Sequence, residues 1–87
     1  MFYMAEFYLP AGTAMARVTA QARAGAERAA GGGADVAFVE AIFLPQDESC
    51  FLVYRARSAG DVRTAGSLAG LAFDRVTGAV VSRNDVR

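Results

Sequence analysis

The sequence predicts an α+β domain whose sheet is apolar on both faces. Short apolar segments with the period of strands alternate with two longer segments that have helical spacing. Segment 36–44 is apolar at both odd and even positions, and Glu40 is its one charged residue. A strand with one wet face alternates apolar and polar residues, so we expect this sheet to be covered on both faces.

The first half of the chain has the pattern of strand, helix and strand. Segment 2–9 is rich in aromatic residues and is followed by a proline, which predicts a first strand. Thr13 is the expected N-cap of an Ala-rich helix that continues to about Ala30, where Gly31–Gly33 end it. A second strand is expected over 35–44. Strict alternation along it places four side chains on one face: Val36, Phe38, Ile42 and Leu44.

The second half repeats the alternation of strand and helix. The polar segment 45–49 is a turn, so the strand expected over 50–56 forms an antiparallel hairpin with the strand before it. Ser58 is the expected N-cap of a second helix that ends near Gly70. A fourth strand is expected within 73–82.

The predicted order β-α-β-β-α-β is that of two interlocked right-handed βαβ units, a ferredoxin-like fold. We expect an antiparallel four-stranded sheet in the order 4-1-3-2, with both helices on one face. One domain is expected over residues 1–82, and a polar tail over residues 83–87. The bare apolar face exceeds what a monomer normally exposes, which predicts a homodimer of the dimeric α/β-barrel type.

Composition excludes several function classes. Nine arginines balance nine acidic residues and are spread along the chain, so we expect neither nucleic acid nor membrane as a partner. The absence of histidine removes the usual acid–base group at neutral pH and the commonest metal ligand. We therefore expect no metal site and no cofactor. Cys50 is interpreted as a small buried hydrophobe. Without a basic, apolar leader pattern, we expect a cytoplasmic location.

Polar side chains within apolar strands are the candidates for chemistry. Glu6 and Arg55 are the candidate catalytic pair, on neighbouring central strands. They form a structural ion pair, or they line a pocket in which Arg55 holds an anionic or carbonyl oxygen and Glu6 moves a proton. Three further side chains are candidate ligand-binding residues: Tyr8, Glu40 and Tyr54. Glu40 is alternatively an edge-strand charge that prevents edge pairing.

Three segments, 6–10 (EFYLP), 43–51 (FLPQDESCF) and 69–76 (AGLAFDRV), resemble a family of small bacterial ferredoxin-like proteins of unassigned function. That family includes an actinobacterial nickel-binding protein, in which histidines supply the metal ligands. The resemblance implies the same fold and a dimer. Because this chain has no histidine, the resemblance carries no metal site to it. Arg55 stands where family members favour an acidic residue at the end of the third strand.

These patterns predict a homodimer that binds a small, largely apolar metabolite in a pocket lined by aromatic residues. A cofactor-independent enzyme, such as a cyclase, isomerase or oxygenase of secondary metabolism, is the alternative. Nickel binding, which comes from the resemblance, is disfavoured because the chain lacks histidine.

Overall fold

The computed structural model describes residues 1–82 and Asn84, so most of the predicted polar tail lies outside the described residues. The described chain forms a four-stranded sheet and two helices. In chain order the elements are β1 (Phe2–Tyr8), α1 (Met15–Gly31), β2 (Val36–Leu44), β3 (Ser49–Ala56), α2 (Ala59–Ala69) and β4 (Arg75–Ala79).

The strands lie in the order β2-β3-β1-β4, and every neighbouring pair is antiparallel. This arrangement confirms the predicted ferredoxin-like topology, 4-1-3-2 when read from the other edge. Both helices pack on the same face of the sheet, which we call the covered face, because one core cluster contains residues of α1, of α2 and of that face. The opposite face, which carries no helix, is called the open face.

The core lies between the covered face and the two helices. Gly25 of α1 packs directly on α2, where an added Cβ would lie 2.5 Å from the carbonyl oxygen of Ala65. Glycine therefore sets how closely the helices approach each other. The largest fully buried side chains are Tyr54, Leu52, Val62 and Cys50.

The start of α1 differs from the prediction. Ala14 occupies the N-cap position without a side-chain hydrogen bond. The hydroxyl of predicted cap Thr13 instead donates to the carbonyl of Pro10 at 2.7 Å, because it closes the turn that precedes the helix. In α2 the predicted cap is confirmed, since the hydroxyl of Ser58 accepts from the backbone N–H of Asp61 at 3.2 Å.

A β-bulge corrects the predicted alternation along β2. Val36 and Phe38 lie on the covered face, opposite Ala56 and Tyr54, whereas Ile42 and Leu44 lie on the open face. The register shifts between Phe38 and Glu40, and the extra residue reverses the direction of every side chain after it. The prediction that these four residues share one face was therefore wrong.

The fourth strand lies inside the segment where it was expected. β4 covers Arg75–Ala79, within 73–82. Phe73 lies before the strand and packs its ring against Gly66 of α2, where an added Cβ would meet the ring. The residues just after the strand leave the sheet, and Val80 is 97% exposed.

Candidate functional site

The centre of the open face is apolar and its borders carry charge. Met4 on β1 lies opposite Val53 on β3, and Phe51 on β3 lies opposite Ile42 on β2. Around this centre lie the four charged side chains that the described strands place on the open face: Glu6, Glu40, Arg55 and Arg75.

A hollow of about 260 Å³ lies on the open face where β1, β3 and β4 meet. It is open to solvent on one side. Its walls are mostly apolar, and the charged side chains of Glu6 and Arg75 form its polar end. The residues that line it are Met4, Glu6, Phe51, Arg75, Thr77, Gly78 and Ala79.

The register between β1 and β4 places Glu6 directly opposite Arg75. The two side chains do not form an ion pair, since the described residues contain a single one, between Arg57 and Asp61 at 3.8 Å. Instead, Nε of Arg75 donates to the hydroxyl of Thr77 at 2.9 Å. The carboxylate of Glu6 and the outer N–H groups of Arg75 are therefore available to a ligand.

The predicted pair, Glu6 and Arg55, is not brought together within one chain. Both side chains lie on the open face of neighbouring strands, as expected. However, Glu6 lies opposite Phe51, and Arg55 lies opposite Phe2. An offset of four residues along a strand is about 13 Å, which is too far for an ion pair. The interpretation as an ion pair within the chain is thus corrected by the strand register.

Tyr8 lies on the open face, at the end of β1 beyond Glu6. Its hydroxyl donates to Oε1 of Glu48 at 3.3 Å, and Oε2 of Glu48 accepts the backbone N–H of Ala11 at 2.7 Å. The negative charge of Glu48, together with desolvation and this hydrogen bond, raises the pKa of Tyr8 above its ordinary value. Glu48, in the turn of the β2–β3 hairpin, therefore binds both the end of β1 and the loop that precedes α1.

Glu40 lies on the open face of the edge strand β2, opposite Val53. Its side chain is exposed, and β3 separates its strand from β1, which carries Glu6. Glu40 is therefore away from the hollow. Its position immediately after the bulge fits the alternative interpretation, a charge that discourages pairing at the sheet edge.

Tyr54 lies on the covered face, which separates it from the other candidates. It is fully buried, and its hydroxyl has no hydrogen-bond partner among the described residues. Its ring packs between those of Phe38 and Phe73, at centroid distances of 5.8 and 6.1 Å. Burial raises the pKa of Tyr54 far above its ordinary value. The structure thus places Tyr54 in the core, on the far side of the sheet from the hollow.

Cys50 is fully buried beneath the helices, as predicted for a small hydrophobe. Burial also raises the pKa of its thiol. A thiol with a raised pKa stays protonated at neutral pH and is a poor nucleophile. The structure therefore gives Cys50 a packing role.

Sequence reasoning missed Arg75 and Thr77. The strand order contained a usable signal, because β4 was expected beside β1. Strand periodicity also places three residues of β4 on one face: Arg75, Thr77 and Ala79. What the sequence lacked was the register that aligns Arg75 with Glu6. A shift of one residue would have placed Arg75 on the covered face.

A second hollow, of about 300 Å³, lies between α1 and the edge strand β2. Exposed Arg23 and Glu27 stand at its rim, one helical turn apart, above Ala26 and Phe38. Among the described residues neither of these side chains has a hydrogen-bond or ion-pair partner, whereas Arg75 at the first hollow donates to the hydroxyl of Thr77. We therefore place the candidate site at the first hollow, where the polar groups lie on adjacent strands of a sheet.

The described residues contain no group of three or more His, Cys, Asp or Glu side chains arranged to hold a metal ion. Nickel binding, which the absence of histidine disfavours, is tested by a calorimetric titration with nickel. In the part of the chain that the structure describes, no helix combines the length and apolar character needed to cross a bilayer.

The fold is shared with a protein of known structure. The crystal structure of SCO4226 from Streptomyces coelicolor A3(2) matches this chain with a TM-score of 0.79 and 16% sequence identity. The match covers 95% of this chain and 100% of that chain. At this identity the likeness shows a common fold, and it does not show a common function. No protein-family model and no curated protein matches the sequence.

Proposed function

We propose that the protein is a homodimer that binds a small, largely apolar molecule between the open faces of its two sheets. The hollow beside Glu6 is the observation that carries this proposal, because it joins apolar walls to two charged groups at one end. Sites for small molecules are mostly apolar, with a few polar groups that fix the orientation of the ligand.

The extent of the open face supports a second copy as its cover. Four strands about 4.8 Å apart and about seven residues long, at about 3.3 Å per residue, give a projected area of about 440 Å². The accessible area of the side chains is larger than this projection. A standard interface buries about 800 Å² on each partner, so the face is of the right order for one half of a dimer.

The charges on the open face support the same partner. Two carboxylates and two guanidinium groups border its apolar centre: Glu6, Glu40, Arg55 and Arg75. A two-fold dimer places the same patch on both subunits, so the patch must complement itself. A face with equal numbers of both charges meets this condition, whereas a strongly acidic or basic partner would leave half of the charges unmatched.

The size of the hollow explains why two subunits are needed. Sites that enclose small molecules measure about 300–1,000 Å³. The hollow of one subunit measures about 260 Å³ and is open on the side that faces away from the sheet. A second sheet over this side would exclude water and enclose the ligand.

Native mass spectrometry of the protein purified from its own host tests both parts of the proposal. We expect a dimer that carries additional mass, which is released on denaturation and identifies the ligand class. A monomer at micromolar concentration would overturn the proposed dimer. A dimer without additional mass, which also fails to bind apolar probes, would overturn the proposed binding site.

Two matched substitutions locate the interface. Ile42 on the open face is 42% exposed and Leu68 on the outer surface of α2 is 37% exposed. We expect Ile42→Asp to give a monomer, because it places a charge in the apolar centre of the interface. Leu68→Asp adds the same charge to a similarly exposed position and should leave the dimer intact. Dissociation by Leu68→Asp alone would place the interface on the helices.

A cofactor-independent enzyme is the second candidate function, and Glu6 favours it. Its carboxylate lies in the hollow and has no ion-pair partner among the described residues. A carboxylate so placed can accept a proton from a bound substrate and return it to another atom. If the protein is an enzyme, Glu6→Gln should abolish turnover and retain the dimer. Unchanged turnover in this variant would exclude Glu6 as the acid–base group.

A further inference from the structure

We infer that the ligand of the hollow carries a hydrogen-bond donor and a hydrogen-bond acceptor close together at one end, as in a hydroxyl group beside a carbonyl group. This inference rests on the proposed function and names the chemical class of its ligand. It comes from the juxtaposition of Glu6 and Arg75, which face each other across β1 and β4 without forming an ion pair.

Glu6 and Arg75 require opposite hydrogen-bonding groups of a ligand. An ionised carboxylate only accepts hydrogen bonds, and a guanidinium group only donates them. Residues directly opposite on antiparallel strands have Cβ atoms about 4.5–5.5 Å apart. A single small head group can therefore reach both Glu6 and Arg75, provided that it donates to the first and accepts from the second.

The contact between Arg75 and Thr77 orients the guanidinium group. Because its Nε–H is bonded to the hydroxyl of Thr77 at 2.9 Å, the outer N–H groups remain for a ligand oxygen. The charges of Glu6 and Arg75 cancel at this end of the hollow. A neutral head group suits such a pair better than an anion, which Glu6 would repel.

The remaining walls determine the body of the ligand. Met4, Phe51 and Ala79 line the hollow, and their side chains are a thioether, a phenyl ring and a methyl group. Thioethers and aromatic rings both pack well against a flat ring. The volume of about 260 Å³ accommodates a compound of single-ring size. The ligand class is thus a small aromatic or enolic hydroxycarbonyl compound.

Two single-ring probes test the inference on the intact protein. Salicylamide is neutral and has a phenol hydroxyl beside an amide carbonyl, whereas toluene has a ring and no polar group. We expect both probes to shift the NMR signals of Met4 and Phe51. Salicylamide should bind at least about tenfold more tightly than toluene, because it forms hydrogen bonds to charged groups. Equal affinities for the two probes would overturn the inference.

Substitutions of Glu6 and Arg75 test whether these residues account for the higher affinity of salicylamide. Glu6→Met and Arg75→Met should each weaken salicylamide about tenfold and leave toluene binding unchanged, and Glu6→Gln should have an intermediate effect. Glu27→Met is the matched control, because Glu27 stands at the rim of the second hollow. If only Glu27→Met weakens salicylamide, the probe binds in the second hollow and the inference is overturned.

The outcomes separate this inference from the proposed function. If toluene binds the hollow of the dimer and salicylamide binds no better, the apolar site stands and the inferred ligand class is wrong. If neither probe shows saturable binding to the dimer, both the ligand class and the proposed binding function are overturned. Thermal unfolding of each variant shows that a loss of affinity does not come from a loss of fold.

Discussion

The two faces of the sheet are both apolar, but the helices cover only one of them. Leu52 and Val53 are adjacent on β3, and their side chains point to opposite faces. Leu52 lies on the covered face and is fully buried under the helices. Val53 lies on the open face and is covered by its neighbours on the sheet alone, although it is only 7% exposed. The strand is therefore apolar on both faces for two different reasons.

The distribution of polar groups shows what this difference means. The covered face has no buried charged side chain among the described residues, and its one orphaned polar atom is the hydroxyl of Tyr54. The open face carries charged side chains next to its apolar centre. Packing against helices needs only apolar groups of the right shape, whereas recognition of a partner or ligand also needs polar groups. The covered face thus stabilises the fold, and the open face carries the candidate functional site.

The largest effect on stability is expected from Leu52→Ala. Removing a fully buried leucine side chain leaves a cavity under the helices, and such changes cost about 2–5 kcal/mol. Ile42→Ala removes a similar number of atoms from a position that is 42% exposed in the single subunit, so it should cost only about 1.4 kcal/mol when the protein is diluted until the subunits separate. Urea unfolding of both variants measures the difference. Equal costs would contradict the distinction between the two faces.

A smaller loss is expected from Gly25→Ala, which separates the two helices above the covered face. The added Cβ would meet backbone atoms of α2, which cannot move aside like a flexible side chain. Overpacking of this kind costs about 1–3 kcal/mol. Gly31→Ala, in the same helix, adds its methyl group to open space and is the matched control. Thermal unfolding should show a lower midpoint for the first variant only.

Tyr54→Phe is expected to stabilise the protein, by about 1 kcal/mol, because it removes a buried hydroxyl that has no partner. The pKa of Tyr54 is raised from its ordinary value of 10.0, so the native state holds this proton more tightly than the unfolded chain does. The free energy of unfolding is therefore unaffected by this group below pH 10.0, and it falls as the pH rises above that value because the unfolded chain loses the proton first.

Unfolding curves recorded between neutral pH and pH 11 check this prediction, since Tyr54→Phe should lose less stability at high pH than the wild type. Tyr8→Phe is the comparison on the open face, where the hydroxyl is exposed and bonded to Glu48. It should not stabilise the protein. If Tyr54→Phe instead destabilises the protein, the hydroxyl of Tyr54 has a partner, such as a buried water molecule.

The smallest effect on stability is expected from Glu6→Gln. Glu6 is partly exposed and forms no ion pair within the described chain, so its charge contributes little to folding. The free energy of unfolding should change by less than about 0.5 kcal/mol. Denaturant unfolding of the dilute protein provides the measurement. A loss of several kcal/mol would show that Glu6 is a structural group and would remove the reason to assign it a role in binding.

Much of the fold was predictable because it depends on local patterns. Ser58 and Gly70 mark the ends of α2, since a side-chain cap and a left-handed residue are properties of a few neighbouring residues. Thr13 shows the limit of the same rule. Its hydroxyl could cap the helix or close the preceding turn, and the geometry of the turn decided between them.

The candidate site was less predictable because it depends on register. The sequence identified Glu6 as an informative exception in an apolar strand. It could not show that Arg75, and not Arg55, lies opposite Glu6, because pairing along strands is set by contacts between distant segments. The bulge between Phe38 and Glu40 has the same origin, since one extra residue changes which face each later side chain occupies.

The sequence by itself determined the order of helices and strands, the topology of the sheet and the apolar character of both its faces. Periodicity and helix ends act over a few residues, and the right-handed βαβ rule restricts the topology whatever the register of the strands. Only the tertiary structure decided that Tyr54 belongs to the core and that Glu6 and Arg75 share one hollow. The physical reason is that side-chain direction in a strand alternates with every residue, so the face of a residue depends on pairings that no local pattern specifies.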